Sequence, residues 1–533
     1  VALIGNWHSV VGHDVPGTFA LFWNSTRVVG GGNTINEFPF FSFLLGDLHG
    51  HVMALPVTIM VIGLAASSVR APFTWGLHSN PATIARLAIS AGVAGSLYAI
   101  NSWDLPAYLL VLAGGLAINA YVTDDSERWW RTPLTTIPAV GVASIFLFLP
   151  YWAHYRSPAH GIGLVSTPAD PFQFLQVFGL FFLALILVLL AYGLVYQPSR
   201  EEAQDSEDIP EKGRSALEVG AIRGLDTYLY LGALTAAGLI IGLRFHLWTL
   251  VILLAMGYAA ATMLQRVLNV ERPMRADALA LALVLVGLLM LASTEVVYLR
   301  DEFDGSPLYR MNTVFKFYYE GWTLLGLAGA FGTWRAWTLL RKHFGPALGW
   351  GALFIVAAGT VAGLAYTVRA PGSAWNGGVA VSLDGMSQLA AAHPTDAAGI
   401  RWLSDHRKDN AVELEATGGD YNSSYARVST FSGLPTVLGW GGHELQWRGP
   451  DPEIAKRTAD INTIYNTTNV ARARSLLRTY GVQYVFVGDT ETSCTRDVHT
   501  CFSPAGLAKF PRFMHAVFRD GSTVIYGWPG GKA

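Results

Sequence analysis

Two histidines and a carboxylate stand close together in the segment from Ile35 to His51. If Asp47, His49 and His51 lie on extended chain, all three side chains point the same way, whereas in a helix Asp47 and His51 share a face. Either arrangement suits a divalent metal, or a general base beside its orienting partner. The alternative is that the histidines hydrogen-bond at a lipid interface and cap a helix. Glu37 is a second carboxylate in the same segment.

Cations gather farther along the chain, where one apolar stretch ends near Glu295 and the next begins near Arg310. Ionisable residues at a membrane edge usually face a bundle interior or a water-filled cavity, because exposure to lipid is costly. Arg300, Arg310 and Lys316 would suit a phosphate or pyrophosphate, and arginine binds such groups with two parallel hydrogen bonds. The alternative is that these cations extend to lipid headgroups.

Two further segments carry polar groups of chemical interest. Asp104, in the polar turn Asn101–Pro106, either caps the following helix or contributes a carboxylate to the same cavity. The glycine-rich loop from Leu434 to Gly449 offers aromatic, acidic and basic side chains for a sugar or a peptide, or serves to dock its domain. These side chains are His443, Glu444, Trp447 and Arg448.

The elements that position these residues are mostly transmembrane helices. Of the 533 residues, 52% are hydrophobic and 14% are charged, whereas soluble domains carry about 25% charged residues. About ten stretches are apolar over the roughly 20 residues that a spanning helix needs. They are 51–69, 84–100, 105–122, 133–152, 172–196, 224–242, 246–264, 276–297, 313–334 and 345–366. The net charge of -2 provides no basic surface for nucleic acid.

Lysine and arginine in the short loops predict the orientation, because cytoplasmic loops are richer in these residues. The polar linker 198–223 is then cytoplasmic, and residues 1–50 form an external segment with an interfacial helix. The membrane domain spans 51–366, and 367–533 form an extracytoplasmic α/β domain. Its predicted helices are 397–406 and 470–480, and its predicted strands are 412–416, 483–487 and 523–526. Cys494 and Cys501 form a disulfide or remain two thiols.

Several chemistries lack their sequence signals. The chain has no Walker A loop, no Rossmann fingerprint, no CxxC pair, no HExxH and no GxSxG. ATP-driven transport, nicotinamide redox chemistry and zinc proteolysis therefore have no support in the sequence.

Four segments together resemble one family, the YYY membrane proteins with domain of unknown function 2298. In order, they are Asn36–His51, Asn101–Pro106, Arg310–Tyr319 and Gly439–Arg448. That family is similar to the GT-C membrane glycosyltransferases, which have many transmembrane helices, an external active site and a polyprenyl-phosphate-linked sugar donor. Many also have a divalent metal and a soluble C-terminal domain. The sequence starts after the family's usual Tyr-Tyr-Tyr loop, so we expect that region upstream or on a separate N-terminal polypeptide.

The resemblance implies a glycosyltransferase at the extracytoplasmic face. Asp47, Glu37 and His49 are the candidate catalytic residues, and Asp47, His49 and His51 would hold Mg²⁺ or Mn²⁺. The candidate substrate-binding residues are Arg300, Arg310, Lys316, Tyr319, Asp104, His443, Glu444, Trp447 and Arg448. Two other classes stay open: a non-catalytic scaffold or accessory subunit of a membrane complex, and a transporter. A transporter should carry polar residues through several mid-helix positions, whereas here they concentrate at the outer edge.

Overall fold

Long apolar stretches fold into the helices of the first of two units, Val1–Asn376, in the computed structural model. The second unit is Gly377–Ala533. The structure describes residues 19–46, 48–71, 80–123, 128–155, 157, 159–196, 236–238, 240, 242, 244–270, 273–374, 384–406, 410–420, 422–449, 451–493 and 502–529. The linker 198–223, both cysteines and Asp47 lie outside these ranges.

Twelve α-helices and two strands of the first unit have both of their ends among the described residues, and Val29–Gly32 form a short 3-10 helix. The helices are α1 (Phe19–Asn24), α2 (Pro39–Leu45), α3 (Gly50–Arg70), α4 (Pro81–Ile100), α5 (Leu105–Thr123), α6 (Arg131–Leu147), α7 (Leu149–His154), α8 (Pro171–Val195), α9 (Trp248–Leu268), α10 (Arg275–Ser293), α11 (Met311–Phe344) and α12 (Pro346–Ala374). The strands β1 (Gly161–Leu164) and β2 (Val297–Arg300) pair antiparallel.

Seven of these helices are long and apolar enough to cross a membrane. They are α3, α4, α5, α8, α9, α10 and α12. Two more predicted spans are helical but atypical: α6 has 17 residues, and α11 has 34 residues that include Lys316, Glu320 and Arg335. The predicted span 224–242 lies for the most part outside the described residues. The prediction of a mainly helical, polytopic membrane protein is confirmed.

Helix α11 forms the centre of the bundle, where it packs against α8, α10 and α12. Its buried face includes Tyr318, Leu324 and Ala328. Elsewhere small residues permit close helix contact, as usual in membranes. A Cβ on Gly115 of α5 would lie 2.6 Å from the carbonyl oxygen of Ala65 in α3. The two helices therefore need glycine at this crossing.

The second unit combines short helices with a four-stranded sheet in the order β3-β4-β6-β5. Its helices are α13 (Gly385–Ala392), α14 (Pro394–His406), α15 (Arg427–Ser432), α16 (Gly441–Arg448), α17 (Pro452–Asn466), α18 (Val470–Thr479), α19 (Asp489–Thr492) and α20 (Pro504–Leu507). The strands are β3 (Val412–Leu414), β4 (Val482–Val487), β5 (His515–Asp520) and β6 (Thr523–Gly527). Strands β3 and β4 are parallel, and the other pairs are antiparallel.

The predicted helices and strands of this unit match α14, α18, β3, β4 and β6, and its α/β class is confirmed. Strand β5 was not predicted. The prediction of a loop from Leu434 to Gly449 is wrong for residues 441–448, which form α16. Its glycines precede the helix or open it, and Gly449 ends it in a conformation with φ 76°.

A buried carboxylate on β3 lacks hydrogen-bond donors in the second unit. Glu413 is fully buried, and neither carboxylate oxygen accepts a hydrogen bond from the described residues. Burial, and then the negative charge of Glu415, raise the pKa of Glu413 well above its ordinary value of 4.5. When folding raises the pKa of an acid, the contribution of that acid to stability is fully present at a pH below its pKa in the unfolded chain. That stability is lost as the pH rises through the folded pKa.

We therefore expect Glu413→Gln to stabilise the second unit at pH 8 by about 1 to 3 kcal/mol, because glutamine has a similar shape but cannot ionise, whereas burial opposes the ionisation of Glu413. The gain should shrink as the pH falls toward 4.5, because the carboxyl group of the unfolded chain then holds its proton as well. Hydrogen exchange of β4 and β6 peptides in the full chain measures this. Equal exchange of wild type and variant at pH 8 would contradict the prediction. Glu453→Gln, on the exposed face of α17, is the control.

Candidate functional site

Several helix ends meet at one end of the first unit, where the segments Asn36–His51, Asn101–Pro106 and Arg310–Tyr319 lie. Helix α4 ends at Ile100, and α3 begins against it. A Cβ on Gly50 would lie 2.8 Å from the Ile100 carbonyl oxygen, so the contact requires glycine. Helix α5 begins after the turn Asn101–Asp104, and α11 approaches α3 through Lys316 and His51. This arrangement places parts of three sequence motifs in one buried cluster.

The imidazole of His51 lies between a cation and a carboxylate. Lys316 Nζ is 3.2 Å from His51 Nδ1, and His51 Nε2 is 3.8 Å from Glu37 Oε2. Because an ammonium group can only donate, Nδ1 is the acceptor and the ring proton lies on Nε2, facing Glu37. The same Glu37 oxygen accepts a hydrogen bond of 2.9 Å from the Ser42 hydroxyl. A neutral imidazole thus links the charges of Lys316 and Glu37.

Aromatic rings of α11 enclose this link. The centroid of His51 lies 4.6 Å from that of Phe315 and 4.4 Å from that of Tyr319, both edge to face. The ring of His49 is 5.2 Å from Phe315 and 4.9 Å from His51. His49 is extended and precedes α3, whereas His51 lies in its first turn. Neither of the two regular geometries expected for this segment therefore holds for both histidines.

A metal ion does not fit His51 in this arrangement. Its Nδ1 faces an ammonium group at 3.2 Å, which would repel a cation, and its Nε2 carries the ring proton. Within the described ranges, no group of three His, Cys, Asp or Glu side chains could hold a metal. Asp47 lies outside those ranges, so the metal site stays a prediction and enters no step below.

Two more carboxyl groups lie beside Lys316. Asp104 is 1% exposed and Glu320 is 2% exposed. Their carboxyl groups are within hydrogen-bonding reach of each other, and both interact with the charge of Lys316. Asn101 Nδ2 donates to Asp104 Oδ1. Asp104 thus lies in the same cluster as Lys316. Of the two alternatives for Asp104, a helix cap or a carboxylate beside the other polar groups, this position agrees with the second.

Arg310 belongs to a separate ion pair. Its Nη1 lies 3.5 Å from Glu295 Oε1 and donates to the Thr294 carbonyl oxygen at 3.0 Å. The other oxygen of Glu295 accepts a 2.7 Å hydrogen bond from the backbone N–H of Ala169. This buried pair joins the end of α10 to the start of α11 and to the segment before α8. Its positive charge is already balanced by a carboxylate.

Arg300 lies on β2, and its half-exposed side chain is 3.7 Å from Asp304. The three cations of the predicted phosphate-binding site therefore lie in three different environments. Lys316 lies in the buried cluster, Arg310 is paired with Glu295, and Arg300 is at the surface.

The four predicted residues of the second unit lie together on α16. Arg448 pairs with Glu444 at 2.5 Å across one helical turn, and Trp447 is 69% exposed. The ring of His443 lies edge-on to Trp440 at 5.4 Å. This short helix presents an indole face and an ion pair to its surroundings.

Two carboxylates of the first unit, Glu320 and Glu295, are not among the predicted site residues. Glu320 lies four residues after Lys316, and this spacing places both on one face of α11. The fold brings Asp104 beside that face. Glu295 lies near the end of the predicted apolar stretch 276–297. A carboxylate at a membrane edge is expected to pair with a cation. The spacing in the sequence could have indicated Glu320, whereas only the fold identifies Arg310 as the partner of Glu295.

Comparison with known proteins places these residues in a wider context. A family model described as "Uncharacterized membrane protein (DUF2298)" matches residues 2–325, which include the cluster but not α16. Curated proteins provide no match. Among solved structures, the archaeal oligosaccharyltransferase AglB from Archaeoglobus fulgidus, in complex with an inhibitory peptide and a dolichol-phosphate, is similar with a TM-score of 0.36 and 12% identity. That match covers 91% of this chain and 57% of AglB.

A structure of the Archaeoglobus fulgidus oligosaccharyltransferase in complex with Zn and sulfate is similar with a TM-score of 0.35 and 14% identity. Here the match covers 88% of this chain and 53% of the other. The chain thus spans little more than half the length of these two proteins.

Proposed function

The chain belongs to the DUF2298 family of uncharacterised membrane proteins, and we propose that it is a membrane glycosyltransferase of the GT-C type. It would transfer a sugar from a polyprenyl-phosphate donor to a hydroxyl acceptor at the extracytoplasmic face. The observation that carries this proposal is the buried Lys316, set among Glu37, Asp104 and Glu320 where membrane helices end. Buried ionisable groups in such bundles are costly, and they mostly serve binding or chemistry.

Lys316 takes the phosphate role in this proposal. In the transfer step, the acceptor oxygen forms a bond to the anomeric carbon of the sugar. The bond from that carbon to the phosphate oxygen breaks, and its electron pair leaves with the phosphate. The phosphate gains negative charge as the bond breaks, and a fixed ammonium group stabilises that charge. Arg310 is neutralised by Glu295 and is not needed for this step.

Glu37 takes the role of general base. Its carboxylate would accept the proton of the acceptor hydroxyl as the new glycosidic bond forms. The Ser42 hydroxyl donates a hydrogen bond to one oxygen of Glu37 and orients it, and His51 Nε2 lies 3.8 Å from the same oxygen. Asp47 and His49 stay alternative catalytic residues, and Tyr319 would line the donor site. Lys316 would thus act on the leaving phosphate, and Glu37 would act on the acceptor hydroxyl.

Helix α16 would contribute to acceptor binding. The exposed indole of Trp447 offers a face on which a sugar ring can stack. Glu444 and Arg448 supply an acceptor and donors of hydrogen bonds beside it. His443 stands at the start of the same helix. A sugar hydroxyl or an acceptor peptide matches this set of groups.

Transfer assays with Glu37→Gln test the role of the base. We expect this variant of the purified full chain in liposomes to lose at least about a hundredfold in rate, the contribution typical of a general base. The donors are polyprenyl phosphates carrying radiolabelled glucose, mannose or N-acetylglucosamine, and the acceptors are octyl glycosides. Glu453→Gln, on an exposed helix of the second unit, is the control. Full activity of Glu37→Gln would exclude Glu37 as the base.

The competing function is a non-catalytic scaffold or accessory subunit of a membrane complex. One observation favours it: the cations Lys316 and Arg310 both have carboxylate neighbours within the chain. A scaffold should bind no polyprenyl phosphate. Native mass spectrometry of the full chain with added polyprenyl phosphate separates the two functions, because the transferase requires a bound donor lipid and the scaffold does not.

A further inference from the structure

The pair formed by Asp104 and Glu320 presents a hydrogen-bonding problem that its surroundings do not solve. Asp104 Oδ2 and Glu320 Oε2 are buried, and no donor among the described residues hydrogen-bonds to either atom. Asn101 serves only the other oxygen of Asp104. Two ionised carboxylates are acceptors only, so they cannot satisfy each other.

One proton on the pair removes this difficulty. A protonated carboxyl group donates an O–H to the facing carboxylate, and both buried oxygens then have a partner. Carboxyl groups that share a site behave in this way, because two adjacent negative charges repel each other strongly in a medium of low dielectric.

The charges around the pair support the same state. Lys316 is the cation beside it, and its ammonium also faces His51 Nδ1, through which it is linked to Glu37. The Tyr108 hydroxyl is within hydrogen-bonding reach of Glu320 and can serve one of its oxygens, and the Tyr319 hydroxyl lies near the pair. Three ionised carboxylates against one ammonium would give this buried cluster a charge of -2, whereas a shared proton leaves -1.

We propose that Asp104 and Glu320 form a proton-binding site, which holds one proton between the two carboxyl groups in the resting protein. The site is distinct from the proposed transfer chemistry, since a non-catalytic scaffold would hold the proton as well. Its consequence is electrostatic. Loss of the proton adds a negative charge beside Lys316. The buried cluster then attracts any anion less strongly.

Infrared spectroscopy of the full chain in lipid bilayers tests this site, because a protonated carboxyl group absorbs at a higher frequency than a carboxylate. The difference spectrum between wild type and the double variant Asp104→Asn/Glu320→Gln at pH 7 should contain one acid C=O band and one pair of carboxylate bands. The acid band should shift to lower frequency in D₂O. Each single variant, Asp104→Asn or Glu320→Gln, removes one of the two carboxyl groups and with it the repulsion that holds the proton, so each should lose the acid band.

Glu295→Gln is the matched control, because Glu295 is equally buried but paired with Arg310. Its difference spectrum should contain carboxylate bands and no acid band. Circular dichroism selects variants that keep the helical content of the wild type. If the double variant does not fold, Glu320→Gln and Asp104→Asn are each compared with wild type, and the acid band should be lost in each variant that folds. Carboxylate bands alone in every folded variant would overturn the proposal.

Discussion

Lys316→Met is expected to abolish sugar transfer from a polyprenyl-phosphate donor, with a loss of at least about a hundredfold in kcat/KM. Methionine keeps most of the apolar stem but removes the ammonium group, which lies 4.7 Å from the centre of the Phe315 ring. Removal of one preorganised electrostatic group from a buried site costs about 10²- to 10³-fold in rate. The loss should exceed this range if the uncompensated carboxylates of Glu37 and the Asp104–Glu320 pair also repel the phosphate.

Lys342→Met is the matched control, since this lysine lies at the opposite, exposed end of the same helix α11. It should transfer sugar at the wild-type rate. The measurement is the initial rate in liposomes at donor concentrations above and below saturation, so that losses in binding and in chemistry are separated. Wild-type kcat/KM for Lys316→Met would remove the lysine from the mechanism and favour the scaffold.

The membrane fold was predictable because lipid permits few structures. Helices must satisfy their own backbone hydrogen bonds in lipid, and about 20 apolar residues suffice to reveal each one. Helix α11 was harder to delimit, because a buried charged face lowers its hydropathy and its 34 residues exceed the thickness of a bilayer. Strands β1 and β2 were missed because each has four residues and pairs with a segment more than a hundred residues away.

The candidate site was predictable in its composition but not in its pairing. Lys316, Glu37, His51 and Asp104 each stood out as an ionisable residue near a membrane edge. Their contacts depend on how α3, α5 and α11 cross, and no spacing within a single segment encodes that crossing. Arg310 is an example of what the sequence could not predict. An arginine side chain suits a phosphate, but in the fold its partner is Glu295. The role of α16 stays a prediction.

The second unit contains its own buried charge network, centred on Arg427. This side chain is 2% exposed and lies 3.0 Å from Asp396, 2.8 Å from Glu491 and 3.7 Å from Glu415. The three carboxylates come from α14, from α19 and from the segment that follows β3. One guanidinium group therefore joins elements that are distant in sequence, and its planar set of donors can serve several carboxylates at once.

Arg427→Met should unfold or severely destabilise the second unit, at a cost of about 3 to 5 kcal/mol or more, because it leaves buried carboxylates without a counter-charge. Arg427→Lys should recover only part of this loss, since an ammonium group cannot match the fork geometry. Hydrogen exchange of peptides from α14 and β4 in the full chain measures the change. Arg448→Met is the control for stability, because its ion pair with Glu444 is largely exposed and contributes at most about 1 kcal/mol.

A second variant separates charge from packing. If uncompensated charge causes the loss, Arg427→Met combined with Glu491→Gln should be more stable than Arg427→Met alone, because one buried carboxylate is removed. If lost packing causes it, the second substitution should add a further loss, since Glu491 also accepts hydrogen bonds from the backbone of Ala416 and Gly488. Exchange rates at wild-type level in Arg427→Met would show that the network is dispensable. A gain from Glu491→Gln would instead identify Arg427 as the counter-ion on which the fold of this unit depends.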